Sequence, residues 1–102
     1  VIHTVRFRGL PALRLLDDAV RLTVLPAWGG KVAEIFDCRR GLEWLSGNPA
    51  FSYERCGVAL LAYGADYVGR FDVGGFDECF PAVGQCLYPT EPYRGTPLPD
   101  HG

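Results

Sequence analysis

Between Arg70 and Gly84 the chain gathers an arginine, three carboxylates (Asp72, Asp77 and Glu78), a cysteine and an aromatic-proline pair within fifteen residues. Such groups recognise polyols: carboxylates accept from hydroxyls, a guanidinium donates, and aromatic faces cover the C–H patches of a sugar ring. Gly74-Gly75 permits backbone angles closed to other residues, so the segment can fold tightly and present Asp77 or Glu78 toward a ligand. The same residue types also describe a solvated turn with Phe76 and Phe80 in the core.

Further along, Leu98-Pro99-Asp100-His101-Gly102 sets a histidine between an aspartate and a glycine. Near neutral pH an imidazole donates or accepts, which suits contact with a ring oxygen or a hydroxyl, and Asp100 can bond another hydroxyl. An exposed or structural loop histidine is the alternative. Asp77, Glu78, Cys79 and His101 are all metal-ligand types, but neighbours in an extended segment point to opposite sides, so Asp77 and Glu78 do not converge on one ion. No metal and no cofactor are expected. Nothing local supplies a base for Cys79, whose plainer reading is a buried, inert thiol.

The elements that must position these groups read as strands. Thr4 to Arg8 alternates polar and apolar, Gly9 breaks the run, and Ala12 to Leu16 resumes it. Asp17-Asp18 suits a turn. Val20, Leu22 and Val24 share one face while Arg21 and Thr23 take the other, the pattern of a half-buried antiparallel strand ended by Pro26. After Gly29-Gly30, the run from Lys31 to Asp37 turns through Cys38-Arg39-Arg40-Gly41 and returns as Leu42 to Leu45, a hairpin. Helix competes over Lys31 to Trp44, where Val32, Ile35 and Phe36 also fit a helical spacing; Gly41 and the missing caps weigh against it. Five of the eight prolines fall between Pro81 and Pro99, so that stretch is extended or turning.

Composition bounds the rest. The 102 residues are 48% hydrophobic and 22% charged, which suits one small globular domain. With ten basic residues, nine of them scattered arginines, against twelve acidic ones, the chain lacks the basic stripe that a nucleic acid requires. No apolar run approaches the roughly 18 residues of a membrane span, and the charged N-terminus does not resemble a signal peptide. Cys38, Cys56, Cys79 and Cys86 form no CxxC pair, so free thiols are favoured over a disulfide framework or a zinc site, and a cytoplasmic setting is expected. A start at Val1 in a chain without methionine, and loop chemistry at the end, lead to the expectation of a fragment cut at both ends.

Gly74-Gly75, then Cys79-Phe80-Pro81 and Gly84, followed by Leu98-Pro99 and His101-Gly102, resembles the signature of the galactose mutarotase-like proteins, which include the aldose 1-epimerases and the hexose-6-phosphate epimerase branch. Leu25-Pro26, Trp28-Gly29-Gly30-Lys31-Val32 is similar to an early strand-turn of that family, and Glu43-Trp44-Leu45 with Asn48-Pro49 to its next hairpin, so the resemblance spans nearly the whole chain. It implies an all-β fold, the N-terminal part of a β-supersandwich with antiparallel strands and long loops, residues 1–102 being one portion of a single sugar-epimerase-like domain. It also implies a hexose as ligand and mutarotation at the anomeric carbon: a glutamate base takes the C1 hydroxyl proton, a histidine acid protonates the ring oxygen, and the ring opens and recloses. His101 resembles the family's first histidine, a substrate contact; Asp77, Glu78 and Arg70 are the other substrate-binding candidates. The acid histidine and base glutamate are expected beyond Gly102, so no catalytic residue is expected within the chain and the fragment alone is expected to be inactive. The phosphate-sugar branch carries an arginine just before the glycine pair, where this chain has Val73.

A non-catalytic carbohydrate-binding domain on the same fold is the first rival reading, and a small structural or interaction domain the second. A sandwich lacking most of its second sheet is expected to leave a large apolar face exposed.

Overall fold

Alternating strands broken by short polar turns give one antiparallel sheet of five strands in chain order: β1 (Ile2–Phe7), β2 (Leu10–Leu16), β3 (Val20–Leu25), β4 (Lys31–Asp37) and β5 (Leu42–Glu43). The computed structural model describes residues 1–56, 67–70, 72–79 and 82–98, with the backbone alone at 55, 56, 68 and 70. Two one-turn helices, α1 (Tyr53–Cys56) and α2 (Tyr67–Arg70), and a ribbon of β6 (Cys86–Leu87) with β7 (Pro97–Leu98) complete the described elements. The chain is mainly β and antiparallel. None of the described helices is long and apolar enough to cross a membrane.

The turns are closed by the side chains the sequence puts there. Asp17 accepts from the backbone N–H groups of Ala19 and Val20, both at 2.7 Å, and sets the β2–β3 corner. Asp37 does the same for Arg39 and Arg40 at 3.0 and 2.9 Å and pairs with the Arg40 guanidinium, which settles Lys31 to Trp44 as a hairpin and not a helix. Pro26 ends β3 by opening a 3₁₀ turn, Pro26–Trp28.

On alternation alone, the Val20-Leu22-Val24 side of β3 would be the covered one. The structure covers the opposite side. Thr23 is fully buried and Leu25 nearly so, whereas Val20 is 42% exposed, as are Leu13 at 37% and Leu15 at 39% on the same outer face. The inner side can be polar because its groups satisfy each other. Arg14, Thr23 and Glu34 stand in register across three strands. Glu34 accepts from Thr23 Oγ1 at 2.6 Å and from Arg21 Nη2 at 2.7 Å, and Arg14 Nε donates to Thr23 at 3.2 Å. Arg21 also lies 4.3 Å from the centre of the Phe36 ring. Burial of such a ladder is tolerated because its charges are paired, Arg21 Nε being a buried ladder atom without a hydrogen bond among the described residues.

The hydrophobic core sits at the other end of the inner face. Leu10, Ala12, Leu25, Tyr53 and Val73 form it, flanked by Val5, Phe7, Trp28, Ala33 and Phe51. The Tyr53 ring meets Phe7 edge-on at 5.5 Å and Trp28 at 5.7 Å. Among the described residues the outer face has no such cover. A radius of gyration of 15.3 Å, above the about 13 Å of a compact chain this long, fits a sheet packed on one side.

Candidate functional site

The site begins at the edge of β4. β5 pairs only with Phe36 and Asp37, leaving the first half of β4 without a strand neighbour on that side. The segment Gly74 to Phe76 fills the gap: Val32 and Phe76 exchange both backbone hydrogen bonds, at 2.8 and 2.9 Å. On its far side the same segment bonds the loop after β5, Gly75 N–H to Ser46 O at 3.1 Å and Asn48 N–H to Val73 O at 2.9 Å. Both glycines have positive φ, 85° and 86°, and a Cβ on Gly74 would lie 2.4 Å from the Ser46 carbonyl oxygen. Only glycine fits between two backbones this close.

This placement brings Asp77 against Lys31, the first residue of β4. The Lys31 side chain is fully buried, and its ammonium donates to Asp77 Oδ2 at 2.7 Å and to the Tyr67 hydroxyl at 2.8 Å. Tyr67, at the start of α2, donates in turn to the same Oδ2 at 2.5 Å. Lysine, tyrosine and aspartate thus close a triangle in which every heavy-atom pair is bonded. Burial pushes the Tyr67 phenol well above its ordinary range, and the hydrogen bond to Asp77 and that carboxylate's charge push the same way. The phenol is therefore a hydrogen-bond donor across the whole physiological range.

Two buried tyrosine rings pack around the triangle. The Lys31 ammonium is 5.5 Å from the centre of the Tyr67 ring, and the Tyr53 hydroxyl and Lys31 Cε both border Gly75, 3.5 and 3.6 Å from where its Cβ would be. Burial raises the Tyr53 phenol to about 12. Asp72 closes the loop leading to the glycine pair, accepting from the Gly74 N–H at 3.2 Å.

Of the residues singled out from the sequence, Asp77 is the one placed in this cluster. Glu78, the next residue, is exposed, as alternation along an extended segment requires. Phe76 is 49% exposed and so does not join the core. The Arg70 side chain, Phe80 and His101 lie outside the described residues. Cys79 is a half-buried free thiol.

Residue type alone does not single out Lys31 or Tyr67. The available signal for Lys31 was compositional: it is the lone lysine among nine arginines. A compact ammonium on a flexible stem fits a closed pocket that a planar guanidinium does not. No family model matches the chain, and neither a curated protein nor a solved structure matches it.

Proposed function

We propose that the chain forms one wall of a sugar cleft in an aldose 1-epimerase-like protein, binding a hexose beside the Gly74 to Asp77 segment. The observation that carries this reading is the carboxylate of Asp77, placed at a partly open position by a glycine pair and fixed there by buried donors. A carboxylate held in this way accepts from a hydroxyl without first having to be ordered. The motif resemblance supplies the substrate class. In that scheme His101 is a second contact near the ring oxygen, and proton transfer at C1 and the ring oxygen belongs to a glutamate and a histidine that the resemblance puts outside this chain. Free thiols at Cys38, Cys79 and Cys86 support a reducing, cytoplasmic setting.

The test is calorimetric titration of the chain with D-glucose and D-galactose. Saturable binding of at least one hexose is expected, weakened by His101→Ala; no saturable heat with either sugar rejects the reading. In a longer protein containing this chain, polarimetry then separates an epimerase, which speeds equilibration of the α-anomer, from a binding module that does not.

A further inference from the structure

We infer that Lys31 and Tyr67 are positioning residues that hold Asp77 as a one-oxygen hydroxyl acceptor, with Oδ1 the atom that meets the ligand; this rests on the sugar-wall reading above. Both donors end on Oδ2, at 2.7 and 2.5 Å, and Lys31 additionally bonds Tyr67 at 2.8 Å, so the carboxylate cannot rotate without breaking two bonds. Among the described residues Oδ1 has no donor. The Asp77 side chain keeps 23% of its surface open, whereas the ammonium that balances its charge is wholly buried.

The chemistry of this arrangement selects a ligand class. The carboxylate is already neutralised by an ammonium in contact with it, so a cation gains little there, and an anion would face a carboxylate oxygen. A neutral hydroxyl donor meets neither objection and gains a bond to a charged acceptor, which is stronger than one to a neutral group. Glu78 carries the same charge on the next residue but is exposed and unfixed, and is not part of the contact. Two adjacent carboxylates thus differ in what holds each of them.

The experiment is calorimetric titration of the full chain with the hexose that binds best and with its monodeoxy analogues, for the wild type and for Asp77→Asn, Tyr67→Phe and Glu78→Gln. Loss of one ligand hydroxyl is expected to weaken wild-type binding about tenfold, the scale of a hydrogen bond to a charged group. Asp77→Asn should weaken the parent sugar comparably and no longer distinguish that analogue. Tyr67→Phe should keep cooperative unfolding yet lose at least about threefold in the same discrimination, an effect that a purely structural tyrosine would not have on the folded protein. Glu78→Gln should stay within about twofold. Undiminished discrimination in Tyr67→Phe, or in a folded Asp77→Asn, overturns the inference while leaving the sugar wall standing. If Asp77→Asn does not fold, the Tyr67→Phe ratio decides alone. Absence of hexose binding by the wild type overturns the earlier reading itself.

Discussion

A Cβ on Gly75 would stand 2.7 Å from the carbonyl oxygen of Val32. That oxygen cannot retreat, because it accepts the Phe76 N–H at 2.9 Å in the bridge that carries Asp77 to Lys31. Gly75 also has a φ of 86°, so alanine there meets strain from both conformation and contact. Gly75→Ala is expected to destabilise the chain by roughly 2–4 kcal/mol. Gly84→Ala is the control: among the described residues nothing beyond its chain neighbours lies within 4 Å of its Cβ position, and a change within about 0.5 kcal/mol is expected. Urea unfolding followed by tryptophan fluorescence compares the two; equal losses would remove the close-approach argument.

The pair of Lys31 and Asp77 invites a double-mutant cycle. Lys31→Met leaves a carboxylate with one donor, and Asp77→Asn leaves an ammonium buried without its counter-charge. Each is expected to cost about 3 kcal/mol, the lower end for breaking a buried pair since Asp77 is partly open. Removing both partners should cost less than the two single changes added together, by about 1 kcal/mol or more. Additive losses would mean that the two charges do not stabilise each other in the folded chain.

Stability is expected to fall on both sides of a broad pH plateau. Burial by itself would raise the Glu34 carboxyl, but the bonds from Arg21 and Thr23 with the charges of Arg21 and Arg14 outweigh it and hold the group below its ordinary 4.5. Asp17, through the N–H groups of Val20 and Ala19, and Asp37, through the Arg40 N–H and guanidinium, lie below their ordinary 3.8. Groups depressed by folding contribute fully above their unfolded values and lose that contribution as pH falls through the folded ones. The acid limb therefore begins near pH 4.5 and deepens below 3.8.

Tyrosine sets the alkaline limb with the opposite sign. The Tyr53 phenol, raised to about 12 by burial, and the still higher Tyr67 favour the folded state fully below pH 10 and lose that contribution progressively as pH rises from 10 toward and through their folded values. Melting temperatures from pH 2 to 11 check both limbs. Tyr67→Phe should flatten the alkaline one, and an unchanged decline would assign it to other groups.

Much of the sheet can be read from residue alternation. The runs at Thr4 to Arg8, Ala12 to Leu16 and Val20 to Val24 fall within or beside β1, β2 and β3, since period two is a local property of the chain. Which face is covered is not local. Thr23 and Glu34 are buried because each is the other's partner across two strands, and no pattern within β3 announces that. Among the described residues, Leu13, Leu15 and Val20 are left exposed on the apolar face that alternation alone would have covered. At the candidate site, Asp77 was legible from its carboxylate beside a glycine pair, whereas Lys31, 46 positions earlier, was not. A contact between residues so distant is fixed by the Val32–Phe76 bridge, a feature of the folded backbone.

The pairing of β3 with β4 shifts register between Thr23 and Val24: Thr23 faces Glu34, Val24 faces Val32, and Ala33 is left over. In an unbroken strand, residues 31 and 34 differ by an odd number and would project to opposite sides. The surplus residue reverses that parity, so the ammonium of the triangle and the carboxylate of the polar ladder lie under the same cover. Deleting Ala33 would change no charged side chain, yet it would turn Lys31 outward, or else Glu34. The chemistry of this face is thus controlled by a count, and a single-residue insertion or deletion here acts as an inside-out switch.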